Sequence, residues 1–159
     1  EKLGANAKTI DGIKGVSFAV WAPSARRVSV VGNFNLWNGL LHPMRSLGNS
    51  GVWEIFIPEL KAGELYKFEI LTQSDGLKIK SDPYGKYFQV RPNNSSIVYE
   101  SRYKWKDKKY LNNKADNLND KPMNVYEVHL GSWKRDENWE WYSYREIAPI
   151  LIEHVKKLA

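Results

Sequence analysis

Glu127 and His129 alternate along the extended-looking run Asn124-Val125-Tyr126-Glu127-Val128-His129-Leu130, so a strand there would bring both to one face. A carboxyl beside an imidazole is the kind of pair that moves protons in general acid–base chemistry. The same pair could equally serve as packed, hydrogen-bonded side chains. Other reactive arrangements are missing from the pattern. His42, His129 and His154 are scattered without ligand spacing, so no metal is expected. Ser132 sits in Gly-Ser-Trp and not in Gly-x-Ser-x-Gly, with no triad partners in view. Gly32-Asn33-Phe34 opens no helix, so it is no phosphate loop, and no cofactor is expected. The 159 residues contain no cysteine, which excludes a thiol nucleophile, a cysteine zinc site and a disulfide scaffold.

Binding chemistry is better represented. Of the seven tryptophans, Trp21, Trp53 and Trp133 lie in or beside strand patterns, where core packing is the expectation. Trp37 lies in a polar loop of Asn and Gly, where burial explains it less well and an indole face is free to stack. Lys67 falls on the strand face opposite Tyr66, Phe68 and Ile70, so its ammonium should reach solvent or a ligand.

These side chains need a scaffold, and the first hundred residues supply β patterns almost without interruption. Val16–Trp21, Val28–Val31, Val52–Ile57, Leu65–Thr72, Leu77–Ile79 and Ser96–Tyr99 read as strands, separated by Gly, Pro, Asn and Asp. Ser74-Asp75-Gly76 is a hairpin turn signal. Strands at this spacing with no helical period between them predict a β-sandwich over 12–100, with 1–11 as a lead-in segment. After Pro122 the period changes. Asn124–Leu130 reads as one strand, Gly131-Ser132-Trp133 as a loop, and Ser143-Tyr144-Arg145-Glu146 as a capping box. Ile147, Ile150, Leu151, Val155 and Leu158 then make one apolar helical stripe, with Pro149 in conflict inside it. A strand and helix of this kind normally feed a parallel neighbour, so the 124–159 unit is expected to be truncated and the chain to belong to a longer protein.

The net charge is +6, and the stretch 101–123 holds seven basic against three acidic side chains. It reads as a solvated basic linker. Tyr103, Trp105 and Tyr110 interleave with its lysines as they would in a nucleic-acid contact, but Asp107 and Asp116 interrupt the run, and no nucleic-acid partner is expected. No apolar run reaches the roughly 20 residues of a membrane helix, and no membrane partner is expected. The lack of cysteine fits a reducing compartment, so a cytoplasmic protein is expected.

The chain resembles the amino-terminal portion of glycogen branching enzymes (1,4-α-glucan branching enzymes, α-amylase superfamily). The resemblance is carried by Glu1-Lys2-Leu3-Gly4-Ala5, Phe18-Ala19-Val20-Trp21-Ala22-Pro23, Val30-Val31-Gly32-Asn33-Phe34-Asn35-Leu36-Trp37-Asn38-Gly39 and His42-Pro43-Met44. It continues in Gly51–Pro58, Tyr66–Ile70, Asp82-Pro83-Tyr84 and Tyr126–Trp133. It implies a family 48 carbohydrate-binding module of immunoglobulin-like sandwich fold. The first strand and helix of a (β/α)₈ barrel would follow, making a mainly β chain. It implies α-glucan, glycogen or amylose, as ligand, with Trp37 and Lys67 at the positions that touch sugar in glucan-binding members. It implies the catalytic barrel in cis as partner, with its nucleophile and acid/base beyond residue 159. No catalytic residue is then expected within the chain, and Glu127 and His129 become packing residues. Two acids usual in the motif are amides here, Asn33 and Asn38, which keeps turn chemistry and removes charge. A stand-alone glycogen-binding module and the module of an isoamylase-like debranching enzyme are the alternatives.

Overall fold

A computed structural model describes residues 3–114, 122 and 124–158, and the chain divides into two compact units between Lys104 and Trp105. The described residues of the first unit hold nine strands in two sheets: β1 (Gly4–Ile10), β2 (Ile13–Trp21), β3 (Ala25–Gly32), β4 (Arg45–Ser46), β5 (Val52–Pro58), β6 (Leu65–Thr72), β7 (Leu77–Lys80), β8 (Tyr87–Phe88) and β9 (Ser96–Ile97). One sheet runs β1-β2-β5-β4 and the other β3-β6-β9-β8, with β7 also on β6, and every pairing is antiparallel. β7 lies along Phe68–Leu71 and β9 along Leu65–Tyr66, while β3 occupies the same stretch of β6 from its other edge.

The alternation read from the sequence decides what faces inward. Val16, Phe18 and Val20 of β2 meet Val28 and Val30 of β3 and Tyr66 and Phe68 of β6 in one buried cluster. Phe18 and Tyr66 pack edge to face at 5.0 Å, and Tyr66 and Phe68 at 5.9 Å. The result is the mainly β sandwich that the strand spacing predicted.

The structure adds elements that the patterns did not show. The stretch 1–11, expected only as a lead-in, carries β1, paired with β2 from Gly4↔Ala19 to Ile10↔Ile13. Its sequence, Gly-Ala-Asn-Ala-Lys-Thr-Ile, holds little apolar bulk, so the ladder rather than side-chain burial makes it a strand. Trp21, expected in the core, is 61% exposed, because Val16, Phe18 and Val20 take the inward positions and Trp21 falls on the outer face.

The second unit departs further from expectation. Asn124–His129 forms no strand: a strand is held by its neighbours' N–H and C=O groups, and no strand partner lies among the described residues. The segment expected as a Gly-Ser-Trp loop is a single helical turn, α2 (Leu130–Trp133), following a short α1 (Lys108–Asn113) inside the basic stretch. The rest of that stretch, 115–121 and 123 with Asp116, lies outside the described residues. The amphipathic helix does form, as α3 (Tyr144–Leu158) with Ile147 buried. Half of its capping box is present, with the Ser143 N–H donating to the Glu146 carboxylate at 2.8 Å, while the Glu146 N–H bonds to the Ser143 carbonyl and not to its hydroxyl. The helix runs straight through Pro149, which leaves the Arg145 carbonyl without its usual donor.

One buried polar group ties β6 and β9 to the segment that follows β7. Asp82 is 1% exposed, accepts the Tyr66 hydroxyl at 2.6 Å and the Tyr84 N–H at 2.8 Å, and donates its own N–H to Ser96 Oγ at 2.9 Å. Burial holds its carboxyl above the ordinary value, although the bonds from Tyr66 and Tyr84 pull the other way. Burial, together with the neighbouring carboxyl, likewise pushes the Tyr66 phenol far up. A carboxyl raised by folding holds its proton to higher pH in the folded chain than in the unfolded one. Its stabilising contribution is therefore complete below the unfolded value, about 3.9, and is lost as pH rises through the folded value. Asp82→Asn keeps an acceptor for Tyr84 and removes the titration. Urea unfolding from about pH 4 upward should show the Asn variant gaining on the wild type as pH rises. A variant that loses ground instead would show the ionised carboxylate to be the form that the fold prefers.

Candidate functional site

β3 ends at Gly32, and the chain leaves it in a short 3₁₀ turn, Asn33–Asn35. Asn35 is the nail of this turn. Its Oδ1 accepts the Gly32 N–H at 2.9 Å, its Nδ2 donates to the Val30 carbonyl at 2.9 Å, and Nδ2 also meets His42 Nδ1 at 2.9 Å. The next two residues, Leu36 and Trp37, both take left-handed backbone angles, φ 53° and 61°. Such angles cost non-glycine residues roughly 1–2 kcal/mol each, and they persist because the surroundings impose them. Here the Trp37 N–H is bonded to the Gly32 carbonyl at 2.9 Å, and the indole N–H donates to Asn33 Oδ1 at 3.0 Å. The ring is half-buried and fixed by its edge. The two amides that replace acids both act as oxygen acceptors, Asn33 for the indole and Asn38 for the Leu40 N–H at 3.0 Å. A carboxylate would make the same bonds, which explains why the exchange preserves the turn.

The loop then returns along the free edge of β3, where the Val30 N–H donates to the His42 carbonyl at 3.1 Å and the Met44 N–H to the Val28 carbonyl at 2.8 Å. Between these anchors it lies over the outer face of β3 and β6. Glu69, opposite Ser29, is only 8% exposed there, and Arg27 neutralises it at 2.8 Å. Gly39 sits directly above that carboxylate: a Cβ at this position would stand 2.0 Å from Glu69 Oε1.

Lys67 is on the same outer face, opposite Val31 and one pair from Gly32, whose carbonyl holds Trp37. It is half-buried, and its Nζ donates to Asn94 Oδ1 at 2.5 Å. The Ser81 hydroxyl donates to the Asn94 carbonyl and so positions that residue. Beyond them Ile79, opposite Glu69, and Leu77, opposite Leu71, present aliphatic side chains that are 51% and 55% exposed. A fixed indole thus stands at the end of β3, while the outer face of β6 and β7 offers an ammonium, an amide and an apolar shelf. That set can stack against a ring's apolar face and hydrogen-bond to neutral hydroxyls.

The structure therefore brings both expected site residues, Trp37 and Lys67, to one end of the β3–β6 ladder. The sequence reading missed Asn94, Leu77 and Ile79. Strand alternation could have put Leu77 and Ile79 on the outer face, but Asn94 lies in a loop and has no local signal. In the second unit Glu127 and His129 are both exposed, and His129 Nδ1 lies 2.7 Å from Ser132 Oγ. Among the described residues no third side chain bonds to that pair, and Glu127 makes no hydrogen bond or ion pair. Among the described residues no three His, Asp or Glu side chains gather where a metal ion could sit.

Comparison with known proteins places the chain. Residues 2–85 match carbohydrate-binding module 48 (isoamylase N-terminal domain), and the chain belongs to that family. It is 54% identical over 156 residues to the 1,4-alpha-glucan branching enzyme GlgB of Hydrogenovibrio crunogenus, covering 97% of this chain and 22% of that protein. It is 52% identical to the GlgB of Methylococcus capsulatus over 97% of this chain and 21% of that protein. The chain thus spans about a fifth of the length of the relatives it matches. The fold also resembles that of the apo pullulanase from Paenibacillus barengoltzii, with TM-score 0.51 and 22% identity over 63% of this chain and 14% of that one.

The seating of the loop gives a direct test. Gly39→Ala forces a methyl into the Glu69 carboxylate, so the loop must lift or the Arg27 pair must break. Overpacking of this kind costs about 1–3 kcal/mol. The thermal midpoint should fall accordingly, with a change in tryptophan fluorescence as Trp37 moves. An unchanged midpoint would mean that the loop is not seated on Glu69.

Proposed function

We propose that this chain is the glucan-binding, non-catalytic part of a 1,4-α-glucan branching enzyme. The whole protein would cut α-1,4 links and re-form them as α-1,6 branches in glycogen. The reading is supported by Trp37, fixed to Asn33 just past the end of β3, and by Lys67, bonded to Asn94 on the adjoining strand β6, in a chain about half identical to branching enzymes along nearly its whole length.

A glucose ring in a glucan offers axial C–H bonds to an indole face and equatorial hydroxyls to polar side chains. Trp37 is the platform, its ring held in place before sugar arrives by the Asn33 bond, so little ordering cost falls on binding. The Lys67 ammonium has donors to spare beyond its bond to Asn94, and Asn94 brings both a donor and an acceptor. Holding one glucan chain near the reacting centre raises its effective concentration there without entering the chemistry. The two carboxyl groups of a retaining mechanism, about 5–5.5 Å apart, belong to the catalytic barrel in cis. Glycogen or amylose is the ligand, the cytoplasm is the site of action, and the basic stretch 101–123 is a linker with no nucleic-acid role. The identity to branching enzymes favours this reading over a debranching enzyme or a stand-alone module.

Affinity electrophoresis in glycogen-containing gels, with melting curves on the same samples, tests the site. Trp37→Ala should weaken glycogen retention about 5- to 150-fold, which corresponds to roughly 1–3 kcal/mol for a lost stacking platform. Its thermal midpoint should fall only modestly, because the ring is half-buried. Lys67→Ala should cost less, since its partners are neutral and already solvated. Full retention with a large fall in midpoint would make Trp37 a packing residue and remove it from the site. The 159-residue chain should leave the iodine absorbance of amylose unchanged, whereas the full-length protein should shift it. A shift produced by the 159 residues alone would refute the non-catalytic assignment.

A further inference from the structure

His42 is the one histidine of the first unit, and it grips the end of β3 in two ways. Its carbonyl accepts the Val30 N–H at 3.1 Å. Its Nδ1 lies 2.9 Å from Nδ2 of the buried Asn35, which also donates to the Val30 carbonyl. The Phe34 ring packs edge to face against the imidazole at 5.5 Å.

The partners of Asn35 decide which atom in this contact carries the proton. The Gly32 N–H can only donate, so it fixes Oδ1 of Asn35 on its side. The Val30 carbonyl can only accept, so it fixes Nδ2 on the other. The second proton of Nδ2 is left for His42 Nδ1, which must accept it with a lone pair. The imidazole is therefore neutral, with its own proton on Nε2. A second ring proton would set one N–H against another. Turning the ring over would bring a C–H to the same place, and turning the amide over would break the Gly32 and Val30 bonds together.

We infer that neutral His42 is a positioning residue for Trp37, and that protonating its imidazole loosens the indole platform and weakens glucan binding. The route is short. Asn35 holds the Gly32 N–H, the Gly32 carbonyl holds the Trp37 N–H, and Asn33, the first residue of the same turn, holds the indole. Trp37 keeps its left-handed φ of 61° only while those bonds last. The inference rests on the glucan-binding reading for its consequence and not for its geometry. The elements packed against His42 are β3 and the turn 33–35. The charged side chains on or beside them are Arg27 paired with Glu69, Lys67 bonded to Asn94, and Arg45 paired with Glu54, and none of these bonds to the imidazole. Asp82, its carboxyl held up by burial, reaches β3 through Tyr66 and is the other titrating group that a test must separate.

Amide NMR and maltoheptaose binding, each followed on the 159-residue chain from about pH 8 to about pH 5, span the range near 6.5 where imidazoles ordinarily take a proton. The Gly32 N–H and the Trp37 indole N–H should shift along the same curve as the His42 ring. The dissociation constant for maltoheptaose should rise about 5-fold or more as pH falls, the lower end for losing a stacking platform. His42→Asn keeps an acceptor where Nδ1 stood and cannot take a proton. It should bind as the wild type does at the upper pH and hold that affinity at the lower. Gly32 and Trp37 signals that stay still while the His42 ring titrates overturn the inference, and so does a wild-type affinity that is flat across the range. A His42→Asn variant as pH-sensitive as the wild type also overturns it, since the effect would then belong to Asp82 or another group. If that variant does not fold, the wild-type NMR curves decide alone. A chain that binds no maltoheptaose at any pH but shows the coupled shifts would refute the glucan reading and leave the positioning role standing.

Discussion

The bond between Tyr66 and Asp82 is the interaction on which both faces of the first unit depend. Tyr66 belongs to β6, packs edge to face on Phe18 of the opposite sheet, and pairs in register with Gly32, the residue from which the Trp37 loop departs. Asp82 is fixed by Ser96 of β9 and in turn fixes Tyr84, which rests on Gly4 of β1. A phenol and a carboxyl this deeply buried are tolerable only as partners. Either one alone would leave an unsatisfied polar group in the core, at a cost of roughly 1–3 kcal/mol or more. The pairing therefore fixes β6 and β9 against the segment that carries Tyr84.

From that common base the two outer faces diverge for a physical reason. On β3 and β6 the loop 33–44 folds back over Glu69, Ser29 and Val31, which are nearly or fully buried although they point away from the core. The ion pair with Arg27 removes the cost of burying the Glu69 charge alone, and the missing Cβ of Gly39 makes the space. What stays open on that face is a strip with free hydrogen-bonding capacity, suited to sugar. On β1-β2-β5-β4 no described segment of the first unit folds back in this way, and large side chains such as Trp21 stay open.

The left-handed pair Leu36 and Trp37 shows how the proposed binding indole is held in such a scaffold. The strain is local, while the bonds that sustain it reach back to Gly32 and Asn33 at the end of a core strand. The indole is thus positioned by the sheet and not by the loop's own preference, which suits a platform that must be ready before the ligand arrives.

Much of this was legible in the residues themselves. The alternation in β2, β3, β5 and β6 named the core, and Ser143 with Glu146 named the start of α3, because side-chain period and capping depend only on local geometry. The outward turn of Lys67 and the placement of Trp37 in a polar loop followed from the same rules. Tertiary structure decided the remainder. β1 is a strand because β2 lies beside it, whereas Asn124–His129, with a better strand pattern, forms none because no described neighbour offers a ladder. Trp21 was expected inside and is outside, since an indole at the end of a strand buries on whichever face has a partner and its own sheet supplies none. Asn94 meets Lys67, and Gly39 meets Glu69, across separations of 27 and 30 residues that carry no local signal. Local chemistry sets which way a side chain can point, but only the packing of distant segments sets what it finds there.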